Sequence, residues 1–187
     1  MAVLINGIDG SYSVPHVLST KYKFEAFEQP LKMNVTTAGS SEEKSIDVKA
    51  TLNGAFKFIA SKAATYKPCN DYFRTLGMKL SLKDVLDKGN LTLHCLAPKE
   101  GYSYEDLPAA NTAGRDIGIH PELLLENPPV LACTLIHELA HVAGATTNTR
   151  DKNAGSAELA LKSCQCSKQY QPDNLGLMLR HTSSRIA

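Results

Sequence analysis

No apolar run in this 187-residue chain approaches the roughly 18 residues that a bilayer-crossing helix needs, which excludes a membrane-spanning helix. Neither sign of charge dominates. Lys and Arg number 20 against 19 Asp and Glu, a net of +1, so there is no electrostatic footprint for nucleic acid. The five cysteines, Cys69, Cys95, Cys133, Cys164 and Cys166, contain no Cys-x-x-Cys pair. Cys164 and Cys166 stand too close together for a thiolate zinc site of the usual spacing. Cys95 and Cys133 lie on apolar segments and read as buried thiols, while Cys69 and Cys164 can pair if the protein works in an oxidising space. Residues Met1 to Gly10 show no basic region followed by an apolar core. The expectation is a protein that stays in the cytoplasm or leaves by a route needing no cleavable signal.

What the chain does have is Thr134-Leu135-Ile136-His137-Glu138-Leu139-Ala140-His141-Val142-Ala143-Gly144. On a helix, histidines four residues apart project from one face, one turn apart, and can converge on a single cation. Zinc accepts imidazole nitrogen at about 2.0 to 2.1 Å and lowers the pKa of a bound water to about 7. Glu138 can then stand beside that water as general base and proton donor, without binding the metal. The rival reading is a chance pentad of hydrogen-bonded core residues. Against it, Glu138 is the only charge between Leu131 and Gly144, and burying two imidazoles and a carboxylate without partners costs several kcal/mol. Gly144 offers the chain a place to leave the helix.

Thr134, Leu135, Leu139, Ala140, Val142 and Ala143 around the pentad make this stretch resemble the zincin metallopeptidases over about a dozen residues. The resemblance implies an α+β fold: a twisted mixed sheet, an active-site helix, a backing helix and an edge strand that binds substrate. It also implies a third zinc ligand further along the chain. A metzincin would place histidine at position 147, which is Thr147. A gluzincin would take a Glu from a later helix, which points to Glu158 with Ser156 as N-cap. An aspzincin would take an Asp followed by Gly four residues on, which Asp151 and Gly155 satisfy in part. Glu158 is favoured over Asp151 because a ligand is better held on a helix than on a loop tip. A solvent-facing Glu158 paired with Lys162 would reverse that choice. The Ala157 to Leu161 stretch further resembles the third-ligand helix of small metallopeptidase domains in bacterial secreted toxins and secretion-system effectors.

Elsewhere the pattern predicts a β-rich segment or arm over residues 1–45 and a metallopeptidase domain over 46–187, the two forming one compact unit. Alternation over Tyr22 to Phe27 and Leu31 to Val35 points to a small antiparallel element, followed by an exposed loop from Thr36 to Lys44. Val48 to Ala64 carries apolar residues at the spacing of one helical face, predicting the backing helix. Short helices are expected after Pro68 and after the capping-box start at Ser81, then a strand from Leu91 to Leu96. His94 on that strand reads as a non-ligand. Ala97 to Gly114 reads as a polar substrate-binding loop. The zincin resemblance makes Arg115 to His120 the substrate-pairing edge strand. Tyr102, Tyr104, His120, Tyr170 and His181 are the candidate oxyanion donors, with Tyr170 slightly ahead.

Together these readings point to a zinc hydrolase of peptide bonds, using His137, His141 and Glu158 as ligands and Glu138 as base. Its substrate would be a protein, a peptide or a peptidoglycan stem peptide. An antibacterial effector acting in the periplasm, with a cognate inhibitor protecting the producer, fits the resemblance. An intracellular regulatory peptidase, or a zinc-stapled binding domain without turnover, are the alternatives.

Overall fold

The computed structural model describes residues 3–11, 19–37, 39–145 and 156–166. Its architecture is α+β, with a mixed sheet on one side of a group of helices. Strand β1 (Val3–Ile5) ends at the predicted turn, where Gly7 has φ 91° and a Cβ would lie 2.7 Å from the Phe27 carbonyl oxygen. Strand β2 (Tyr22–Glu25) follows. Strands β3 (Leu31–Thr37) and β4 (Ser40–Ile46) form a separate two-stranded hairpin. The stretch from Thr36 to Lys44, expected to be a loop, is thus mostly strand. Its Ser, Glu and Lys side chains are exposed as expected, but the backbone pairs with the alternating Leu31, Met33 and Val35, which turn into the core. Polar composition hid the pairing.

Helix α1 (Val48–Ser61) is capped by Asp47, whose carboxylate accepts from the Ala50 N–H at 2.8 Å. Its Val48, Leu52, Ala55, Phe56 and Ile59 are all buried, the face that the periodicity marked. Helix α2 (Lys67–Thr75) carries a proline in its first turn, and helix α3 (Leu82–Asp87) opens with the expected Ser81–Asp84 capping box.

Strand β5 (Leu91–Pro98) is the axis of the main sheet. On one side β1 runs parallel to its first half and β2 antiparallel to its second half, so the N-terminal strands belong to this sheet. On the other side lies β7 (Asp116–Ile119), parallel to β5, and beyond it β6 (Ala110–Ala113), antiparallel to β7. The expected edge strand, Arg115 to His120, is therefore interior, and the edge is β6, inside the stretch read as a loop. Gly114, at φ 64°, provides the reversal that folds β6 back on β7. Gly118 sits where β7 passes Phe24: a Cβ there would lie 2.2 Å from the ring.

Leu91, Leu93, Ile117 and Ile119 share one core with α1 and with helix α4 (Pro128–Val142). The backing position expected for α1 is the one observed, since it packs against α4. Phe24, Leu96 and Leu107 form a smaller cluster of their own. Two disulfides, Cys69–Cys164 and Cys133–Cys166, join α2 and α4 to the tip that follows helix α5 (Ala157–Ser163). The first is the pairing the sequence allowed. The second corrects the reading of Cys133 as a thiol: it is buried on α4, but bonded to a residue too distant in sequence for any pattern to link them. Cys95 is a free thiol, half-buried.

Candidate metal centre

Helix α4 starts where Asn127 Oδ1 accepts from the Val130 N–H at 3.1 Å and prolines occupy the first turn. It ends at Gly144, φ 93°, with Ala145 N–H donating to the Ala140 carbonyl at 2.8 Å. Gly144 also lets the chain pass close to Gly77, since a Cβ on it would lie 3.1 Å from Gly77 Cα. Between these ends every residue from Leu131 to Ala140 is buried. A helix apolar on all sides lies in the centre of a protein, and its few polar side chains are held without solvent to screen them.

His137 and His141 share one face of α4, with Nε2 atoms 3.2 Å apart. Two nitrogens bound tetrahedrally to one zinc at about 2.05 Å lie about 3.3 Å apart. The spacing observed is that of a chelating pair. The long contact from His141 Nδ1 to the Ala145 carbonyl, 3.5 Å, suits a tautomer with the proton on Nδ1 and a lone pair on Nε2. Without a metal, the same spacing is that of a hydrogen bond in which the neutral N–H of one ring donates to the lone pair of the other, the donor being set by the tautomer. Burial, and then the neighbouring His141, push the His137 imidazole down to about 4, so it is neutral at physiological pH, the form that binds metal.

Glu138 is 5 % exposed. Its Oε2 accepts a 2.7 Å hydrogen bond from Thr112 Oγ1, on the helix-facing side of β6. Burial raises the carboxyl above the ordinary carboxylate range, opposed by the Thr112 hydrogen bond and by His141. The carboxyl is thus easier to protonate than an ordinary one, with His141 close enough to act on it.

Among the described residues no group of three or more His, Cys, Asp and Glu side chains is gathered to hold a metal ion. Those residues include His137, His141 and Glu158; Asp151 lies outside them. Glu158 is half-buried in the first turn of α5, whose N-cap is Ser156 as expected, with Oγ accepting from the Leu159 N–H at 3.3 Å.

Of the candidate oxyanion donors, Tyr102 is exposed in a turn, and Tyr104 lines a groove with Glu25, Glu28 and Cys95. His120 is committed elsewhere: Nδ1 accepts from the Glu122 N–H at 3.1 Å, and Nε2 donates to the Tyr104 carbonyl at 3.2 Å. Tyr170 and His181 lie outside the described residues. His94 is fully buried, with Asn6 Nδ2 donating to its Nδ1 at 3.0 Å and its Nε2 donating to Asp116 Oδ1 at 2.9 Å. Two residues near Glu138 escaped the sequence reading. Thr112 is one. The other is Tyr22 on β2, whose phenol is pushed up by burial and by the Glu138 carboxylate. The alternation Tyr22-Lys23-Phe24-Glu25 marked a strand, but nothing in it said which strand would neighbour α4. Compared with family models, curated proteins and solved structures, the chain matches none.

Proposed function

We propose that this protein is a zinc-dependent hydrolase of peptide bonds, with His137 and His141 as two ligands, Glu158 or Asp151 as the third, and Glu138 as general base. The observation that carries the reading is the 3.2 Å approach of the two Nε2 atoms on a buried helix, with the one acidic side chain of that helix between them in sequence. Zinc bound there would supply Lewis acidity toward the scissile carbonyl and a water acidic enough to attack at neutral pH. Glu138 takes the proton from the attacking water and returns it to the leaving amine. His137 and Glu138 are themselves buried, so little bulk water screens the electrostatic contacts they make. The outer edge of β6 has no partner strand among the described residues, and its backbone can hold an extended peptide by strand addition.

Two disulfides suit an oxidising space such as the periplasm, which supports an antibacterial effector that cuts a protein or a peptidoglycan stem peptide and is restrained in its producer by an inhibitor protein. The test is metal analysis of the purified chain alongside Glu138→Gln and single changes at His137, His141, Asp151 and Glu158. The expected result is about one zinc per chain, lost with either histidine and with one of the two acidic residues. In Glu138→Gln zinc is kept and turnover falls by about a thousandfold. A protein that binds no zinc, or a Glu138→Gln variant that still cleaves, sinks the proposal. The effector role predicts growth arrest only when the protein is directed to the periplasm.

A further inference from the structure

The helix-facing side of the edge strand carries Ala110 and Thr112, and Thr112 is the only one of the two with a hydrogen-bonding side chain. Its Oγ1 lies 2.7 Å from Glu138 Oε2 and 3.3 Å from the Glu138 backbone carbonyl. We infer that Thr112 is a positioning residue for the general base: its hydroxyl pins Oε2 and thereby turns Oε1 toward the reacting water. This rests on the hydrolase reading above.

The geometry supports more than a strand-to-helix staple. A glutamate side chain has three rotatable torsions, and a base that wanders among rotamers loses the alignment that proton transfer needs. One short bond to one oxygen removes that freedom and leaves the other oxygen uncommitted; among the described residues no hydrogen bond engages Oε1. The bond also survives the proton transfer. Against the carboxylate, Thr112 donates to Oε2. When Oε1 takes the proton from the water, Oε2 remains the carbonyl oxygen of the acid and still accepts from the same hydroxyl, with the Glu138 backbone carbonyl a second acceptor within reach. A valine in the same place would fill the same space and offer no hydrogen bond.

The strand carrying this hydroxyl is also the one whose free backbone edge can receive substrate, so the base is aligned to the peptide-binding strand as well as to its own helix.

The test compares the zinc-loaded full-length chain with Thr112→Val and Thr112→Ser on a pooled library of internally quenched peptides, alongside zinc stoichiometry and thermal midpoint. The expected result for Thr112→Val is a kcat lower by about 10- to 100-fold with KM within about twofold, and Thr112→Ser back to within about threefold of the parent. Zinc content stays at the parental value, and the midpoint falls by a few degrees because the buried carboxyl loses a partner. A Thr112→Val protein with parental kcat overturns the inference, as does one whose defect appears in KM or zinc content, or one that serine does not rescue. If Thr112→Val fails to fold, Thr112→Ala against Thr112→Ser gives the same comparison. A parent that binds zinc and cuts nothing overturns the hydrolase reading and this inference together, whereas an active parent with an equally active valine variant overturns this one alone.

Discussion

Along α4 every residue from Leu131 to Ala140 is buried, whereas all four residues of β6 are only half-buried and one side of that strand pairs with nothing among the described residues. Yet both elements meet at the Glu138 carboxyl. The helix supplies rigidity through packing, and its chemical groups are held where water cannot reorganise around them. The strand supplies reach: a weakly buried element keeps its backbone available and touches the site through one hydroxyl. A change in the helix should therefore be felt as stability, and a change in the strand mainly in the hydrolysis proposed above.

The widest gap is expected from Leu135→Ala, which empties a fully buried position of α4 in the main core and should cost about 2 to 5 kcal/mol in urea unfolding of the metal-free protein. A cost under about 1 kcal/mol would mean that α4 is less tightly packed than its burial indicates. Next comes acid. The His137 imidazole titrates at the ordinary 6.5 in the unfolded chain and at about 4 when folded, so the unfolded chain binds more protons between those values. Metal-free protein should be fully stabilised above pH 6.5 and lose of the order of 3 kcal/mol as pH falls to about 4, with His137→Gln flattening that slope. An unchanged slope in the variant would assign the acid sensitivity elsewhere. The smallest effect belongs to β6: Asn111→Ala, on the face away from the helix, should change stability by no more than about 0.5 kcal/mol. A larger loss would show that the edge strand is held by more than its pairing with β7.

The same contrast explains what could be read from the amino acids. Helix α4 was legible because its cap, prolines, apolar run and terminal glycine all point one way, and the two histidines fall at the one spacing that puts them on a common face. Helix α1, the capping box at Ser81 and the Ser156 cap were legible for the same reason: they are local signals. Strand β6 was not. Ala110-Asn111-Thr112-Ala113 has one β-branched residue and no clear alternation, and it becomes a strand only because Gly114 turns it back along Ile117 and Ile119. The hairpin partner Ser40–Ile46 was missed for the same cause, a polar stretch made regular by its neighbour. Tyr22 and Thr112 near Glu138, and the bond between Cys133 and Cys166, depend on contacts between distant parts of the chain. No local pattern encodes such contacts.

The pairing of Cys164 and Cys166 to two different helices has a consequence for the molecule after damage. The bridges span 95 and 33 positions, and both enclose the connection from Ala145 to Ser156. A nick anywhere in that connection by a protease leaves two polypeptides that cannot diffuse apart, because α5 remains tethered to α2 and α4 by separate sulfur links. The clipped species should migrate as one band until a reductant is added, then as two.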